Sequence, residues 1–423
     1  MKKQALAKSS EGLFIKNSRF KTTLISFNFY LPLRKETVAE YALLPFILTT
    51  CSKKYPEFSK LNYKLNKLYG ARLDASCEKF GDYQLLKMTV SVINDRYALD
   101  DESLVKRASD LLLSLLFEPS TEDGSFFQND LEREKRKCIE HIKGEYSEKR
   151  IYAKKRLIEE MFKDDVYGIS KCGDIEDVEK ITGKSLYDAW ERMLKTAFFR
   201  VNVVGSSIPN GLFETISEKF NSLDRKNAIE LGGSAPSAAS AKVKTVTENQ
   251  AVNQGKLVMG FSSEMYGNDE QSLPLLIMCD LFGGGPYSRL FSNVREKMSL
   301  CYYCSASSVR QKGLLTVESG VEAKNAEKAR KEIINQLEII KKGEFEDSLL
   351  EYSLKSVCGS FKTYEDSLTS LDAWYTLKIC NDEIYTPEEL SDRVMNITRD
   401  DIIKAANGIK LHTVYKLLPL EAK

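Results

Sequence analysis

The stretch LFGGGPYSRLFSNVREKMSLCYY, residues 281–303, admits two readings that lead to different folds. Three consecutive glycines, placed after an apolar run and before a helical segment, follow the order of a phosphate-cradling loop in an α/β sheet protein. The details refuse that reading. A Walker loop carries a lysine and a hydroxyl directly after its last glycine, and here Pro286 and Tyr287 follow. A dinucleotide-binding turn needs G-x-G-x-x-G at a strand-to-helix junction, and the third glycine is missing. The preceding SLPLLIMCDLF reads as a helix with Pro274 in its first turn. Gly283, Gly284 and Gly285 then end a helix and turn the backbone where side chains would clash.

Outward from this stretch, the chain repeats itself. VEKITGKSLYDAWERMLKTAFFRVNVVG, from Val178, matches VMNITRDDIIKAANGIKLHTVYKLLP, from Val394. Each carries an I-T pair, a short helical pattern and a β-rich run, and Thr182 and Thr398 suit helix N-caps. Earlier in each half, LLPFILTTC from Leu43 resembles LPLLIMCDL from Leu273, and LLKMTVSV from Leu85 resembles LLTVESGV from Leu314. The matches keep one order and nearly one spacing, which implies an internal duplication. Between the halves, LGGSAPSAASAK (231–242) has the composition of a flexible linker. The division is therefore 1–230 and 243–423. Strand-like alternation at 22–32 and 255–263 opens each half, and helices and strands are mixed rather than strictly alternating. Two α+β sandwich halves are expected, not a doubly wound sheet. PEFSKLNYKLNKLYGARLD predicts a helix with Phe58, Leu61, Leu65 and Leu68 on its apolar face and Gly70 as left-handed cap.

Composition narrows the function. The 423 residues carry a formal net charge of +1, which disfavours nucleic acid as a partner. No apolar run approaches the length of a membrane span, and the early lysines precede no signal-peptide core. Nine cysteines without framework spacing suit a reducing compartment, so a cytoplasmic address is expected. The only histidines are His141 and His412, too few for most zinc hydrolases. No serine or cysteine nucleophile motif stands in for them.

The opening stretch resembles the second-half signature of the pitrilysin, insulysin and mitochondrial-processing-peptidase family of zinc peptidases, whose metal motif is H-x-x-E-H. The resemblance consists of a glycine turn, S-R-L at 288–290, Arg295, and Tyr302 seven residues on. In the first half, LYGARLDASCEKFGDYQLLKMTV resembles the family's G-A-x-L-N-A segment, and LEREKRKCIEHIKGE resembles its third-ligand helix. The likeness spans most of the chain and implies two homologous halves closing as a clam-like shell around a chamber. It also implies that Arg295 and Tyr302, with Gly283, Gly284 and Gly285, bind substrate backbone.

The zinc motif is absent. The family's spacing places it near Leu44–Leu48, where the sequence is LPFIL, and neither histidine nor carboxylate occurs between Tyr41 and Tyr55. Glu134 matches an acidic position of the family, and seven residues on His141 stands where the third ligand belongs. The resemblance is therefore to a non-catalytic bacterial member, similar to the type associated with elongation factor P modification. It implies no catalytic residue, no metal and no cofactor in this chain, with zinc only in a homologous partner subunit and a peptide or protein as substrate. A homodimer is an open alternative, as is a scaffold role in which Arg295 pairs with Glu296 and Tyr302 is a core aromatic. Helix-like REKRKCIEHIKGEYSEKRIYAKKR (133–156) reads as a solvated face with i,i+4 ion pairs, or as a basic wall of a peptide chamber. Cys301 and Cys304 form a C-x-x-C, but i and i+3 on a regular strand face opposite ways, so they read as buried small hydrophobes rather than a redox pair.

Overall fold

The computed structural model describes the chain except residues 235, 237–241, 382 and 421–423, so much of the 231–242 linker lies outside the described residues. The first half opens with β1 (Lys2–Ala7), β2 (Ser10–Lys16) and β3 (Thr22–Pro32), then α1 (Val38–Leu48) and α2 (Phe58–Lys67). Strands β4 (Arg72–Phe80) and β5 (Tyr83–Ile93) lead to α3 (Leu104–Phe117) and a minor hairpin, β6 (Thr121–Glu122) and β7 (Ser125–Phe126). Helices α4 (Gln128–Ser147), α5 (Lys149–Met161), α6 (Ile175–Lys180) and α7 (Gly183–Thr196) precede β8 (Phe198–Gly205) and α8 (Leu212–Asn221). The second half begins with β9 (Lys244–Gln250), β10 (Gly255–Ser263) and α9 (Asp269–Gly283), followed by a π-helix over Leu290–Lys297. Strands β11 (Cys301–Val309) and β12 (Leu314–Val321) come next, then α10 (Ala326–Lys341), α11 (Asp347–Thr363) and α12 (Leu368–Thr376). The chain closes with α13 (Pro387–Met395), α14 (Arg399–Asn407) and β13 (Ile409–Pro419).

The two halves build one architecture twice. The first sheet has the order β1-β2-β8-β3-β5-β4 and the second β11-β12-β10-β13-β9. Read from β2 and from β9, five strands correspond in order and sense: β2–β8 and β9–β13 are parallel, and the remaining pairs are antiparallel. The equivalent N-caps also match. Thr182 Oγ1 accepts from Ser185 N at 3.1 Å and Thr398 Oγ1 from Asp401 N at 3.3 Å, each within a reciprocal capping box.

The compact units do not follow the two halves of the sequence. One unit comprises residues 1–143, 169–232 and 365–377, and so takes in α12; the other comprises 144–168, 233–364 and 378–423, and so takes in α5. Structurally equivalent helices have thus been exchanged, and the chemistry of the receiving strands explains how. In TTLISFNFYLP of β3, Ile25, Phe27, Phe29 and Leu31 join the apolar core beneath the sheet, packed with α1, α3, α7 and α8. Three of the alternate residues, Ser26, Asn28 and Tyr30, carry polar atoms and are equally buried. Ser26 Oγ donates to Asp372 Oδ1 of α12 at 2.7 Å, Asn202 Nδ2 donates to the same oxygen at 2.8 Å, and Lys87 pairs with the other carboxylate oxygen. Tyr30 donates to the Thr376 carbonyl at 2.9 Å and Arg200 to that of Tyr375 at 3.0 Å. Buried polar groups require partners, and α12 supplies them.

On the second sheet the receiving surface is apolar at its centre. Ala153 and Leu157 of α5 pack on Val258, Tyr415 and Leu417. Gly260 makes room, since a Cβ there would lie 2.7 Å from Met161 Sδ. Arg150 and Lys154 each reach Glu318 of β12 at 2.8 Å. The basic stretch at 133–156 is therefore two helices, and the second is a docked element rather than a solvated face. Two further expectations are corrected. Helix α9 starts at Asp269, capped by Asn268, so Pro274 lies inside it rather than in its first turn. Phe58, the first residue of α2, is exposed, while Leu61 and Leu68 are buried and Leu65 packs partly. Gly70 does adopt the left-handed conformation, with φ of 73°.

Candidate functional site

Two places carry the residues singled out by the sequence, one in each compact unit. The first is a cavity of about 320 Å³ between α1, α4 and β4. Helix α1 presents Ala42, Leu43 and Phe46 to it, and α4 presents Glu134, Lys137, Cys138 and His141. Glu134 and His141 thus share one face of α4, two turns apart, as their spacing implied. The expected motif position is displaced: Leu44, Ile47 and Leu48 are in the apolar core. An H-x-x-E-H motif sets its two imidazole ligands at i and i+4 and its water-activating glutamate at i+3 on one helical face. On α1 the pair at i and i+4 that faces the cavity is Ala42 and Phe46, with Pro45 between, two residues earlier than the family spacing suggested.

These residues do not fit a zinc ion. Ala42 and Phe46 supply no donor atom, and among the described residues no group of three or more His, Cys, Asp or Glu side chains is disposed to hold a metal. Glu134 is buried and already committed to Lys137 at 2.9 Å and Arg133 at 3.0 Å. The cavity wall beyond α4 is equally spoken for. Burial pushes the Cys77 thiol up to about 12, and Gln84 Nε2 binds both the Lys171 carbonyl at 2.7 Å and the Val38 carbonyl of α1 at 2.9 Å.

The second place is the glycine turn with its sequel. None of Gly283, Gly284 and Gly285 has positive φ. Close approach explains two of them: a Cβ on Gly283 would lie 2.6 Å from the Ala306 amide nitrogen of β11, and one on Gly284 would lie 2.4 Å from Asp280 Oδ2. On Gly285 it would meet the Tyr287 ring at 2.8 Å. The turn is held by Asp280, which accepts from Tyr287 and, at 3.3 Å, from Ser356 of α11. Burial raises the Asp280 carboxyl, while the hydroxyl donors hold it down. The S-R-L segment is structural: Ser288 and Leu290 are buried, and Arg289 and Asn293 both bind Gln336 of α10, at 2.8 and 3.1 Å.

Arg295 and Tyr302 occupy the ends of the π-helix and the start of β11. The Arg295 side chain is 40% exposed, stacks on the Phe291 ring at 4.5 Å and pairs with Glu296 at 3.5 Å. Such a surface pair contributes little energy. Tyr302 is 63% exposed, so it is not the core aromatic of the scaffold reading; its neighbour Tyr303 is half-buried, with Arg150 and Lys256 over its ring. Tyr302 projects because it is the extra residue of a β-bulge: Cys301 pairs with Val321 and Tyr303 with Gly320. Sequence reasoning missed both the bulge and the π-helix, the latter a form frequent at functional sites. Bulge position depends on the register with β12, and no local signal reports it.

The description "Peptidase M16 inactive domain" belongs to a family model that matches residues 180–357. A Bacillus subtilis protein named "Probable inactive metalloprotease YmfF" is 32% identical over 405 residues, 95% of this chain and 94% of that protein. The chain belongs to the M16 peptidase family. Within M16 it is an inactive homologue of a zinc metallopeptidase. Solved structures share the fold. A conserved protein from Enterococcus faecalis V583 superimposes with a TM-score of 0.91 at 25% identity, covering 100% of this chain and 99% of that one. A peptidase M16 inactive domain from Pseudomonas fluorescens does so with a TM-score of 0.78 at 15% identity and the same coverage. No helix among the described residues is long and apolar enough to cross a membrane.

Proposed function

We propose that this chain is the non-catalytic subunit of a two-subunit zinc peptidase, binding peptide for a zinc-bearing M16 homologue, in the cytoplasm. The observation that carries the reading is the asymmetry between the two places. The α1 face of the first cavity is hydrocarbon, whereas Arg295 and Tyr302 retain solvent-facing polar ends. A guanidinium offers paired N–H donors to a peptide carbonyl or carboxylate, and a phenol offers a donor to charge developing on a carbonyl oxygen. The glycine turn sets the start of the π-helix that carries Arg295, and the bulge points Tyr302 outward. Zinc, on this reading, belongs to the partner alone.

The test mixes this chain with a zinc-bearing M16 homologue and follows cleavage of an unstructured peptide. Arg295→Ala lowers kcat/KM by about tenfold, equivalent to about 1.4 kcal/mol of transition-state stabilisation. Unchanged cleavage removes Arg295 from the site. The stacking of Arg295 on Phe291 favours a second reading, a scaffold subunit with no part in proteolysis. In that case Arg295→Ala lowers the melting temperature and leaves cleavage untouched.

A further inference from the structure

The bulge at Tyr302 has a second effect. Directly paired residues of antiparallel strands project to one face. Val321 and Ser319 lie two apart on β12 and share a face; their partners are Cys301 and Cys304. The extra residue therefore brings the two cysteines to the same face, contrary to the expectation for i and i+3 on a regular strand. Both side chains are buried, and Cys304 pairs directly with Ser319 across the ladder. Cys301 and Cys304 are both free thiols in this structure.

We propose that Cys301 and Cys304 form a reversible intrachain disulfide across the Tyr302 bulge, making β11 a redox modification site with Cys301 as the attacking thiol. Cys301 keeps 9% exposure against 5% for Cys304, and lies at the strand end within reach of the Arg295 charge. The hydrogen bond from Cys304 brings the Cys301 thiol down to about 7; burial opposes this, and Ser319 and Arg295 add to it. Cys304, the donor, is raised instead. Single cysteines elsewhere behave differently, as with Cys279, which burial pushes up to about 12.

The oxidant is a low-molecular-weight disulfide, RS–SR. The Cys301 thiolate attacks one sulfur, forming a mixed disulfide and expelling RS⁻. Cys304 loses its proton and attacks the Cys301 sulfur, closing the ring and expelling the second RS⁻. Two cysteine thiols are oxidised, and RS–SR is reduced to two thiols. Tyr302 lies within the closed ring, so oxidation fixes the bulge that presents it. None of this requires a peptide ligand.

The experiment equilibrates the reduced full chain, without oxygen, in graded mixtures of hydroxyethyl disulfide and mercaptoethanol, then acid-quenches, alkylates and maps the peptides. The expected result is a loss of two hydrogens confined to the peptide holding Cys301 and Cys304, reversed by dithiothreitol. Cys304→Ala traps mercaptoethanol on Cys301, and its alkylation rate at pH 7 falls at least about tenfold as the Cys301 pKa rises. Cys304→Ser serves if the alanine variant loses its native circular dichroism. Independent alkylation of both cysteines at every ratio overturns the proposal, as does a Cys301 adduct in the unaltered chain that never closes.

Discussion

At Gly283 a single missing methyl group decides a packing distance. The last residue of α9 lies against the β11 backbone, where a Cβ would come within 2.6 Å of an amide nitrogen. Backbone cannot rotate away as a side chain can, so Gly283→Ala is expected to destabilise by about 1–3 kcal/mol, measured by urea unfolding. The triple glycine signals backbone proximity rather than phosphate, and that much follows from the missing lysine. Ala42 and Phe46 show what the count along the chain does not, namely which residues of α1 face the cavity. Both face α4 and His141, whereas Leu44 and Leu48 are core residues. Ala42→His with Phe46→His therefore joins His141 as a third nitrogen and is expected to bind zinc at a 1:1 ratio in calorimetry. The pair Leu44→His with Leu48→His is expected to bind none and to unfold at lower denaturant.

Among the elements, α5 and α12 show how composition directs docking. An apolar stripe ending at Met161 meets a sheet with Gly260 at its centre, while an aspartate-bearing helix meets Ser26, Asn202 and Lys87. Neither helix fits the other's sheet without leaving Asp372 unpaired, which costs several kcal/mol. Glu318 anchors α5. Burial alone would raise its carboxyl, but Lys154 and Arg150 hold it below the ordinary range. Its folded pKa is below its unfolded one, so its contribution is complete above about 4.5 and is lost as pH falls through the folded value. Acid titration of stability is expected to show this loss, and Glu318→Gln is expected to flatten it. Helix positions, caps and the matched β5 and β12 motifs were legible beforehand, because capping and periodicity are local. The destination of α5 was not, because its partners lie about a hundred residues or more away along the chain.

For the molecule as a whole, the family assignment and the loss of zinc chemistry make one expectation sharp. The chain alone, supplied with excess zinc, is expected to show no chelator-sensitive cleavage of unstructured peptides; such cleavage would contradict its assignment as an inactive homologue. With a zinc-bearing homologue present, cleavage that depends on this chain is the outcome proposed.

Much of this was written along the chain. The duplication, the glycine turn and the absence of H-x-x-E-H are properties of residue order, and residue order is what a sequence states. The Thr182 and Thr398 caps belong with them, since each cap bonds three residues away. Tertiary structure decided the rest. It selected Ala42 and Phe46 over their neighbours, exchanged α5 and α12, turned Arg295 onto Phe291, and set the bulge that exposes Tyr302 and unites Cys301 with Cys304. Each of these depends on which distant strand or helix arrives opposite. A one-residue shift in pairing reverses the face of a side chain, and no local pattern records that shift.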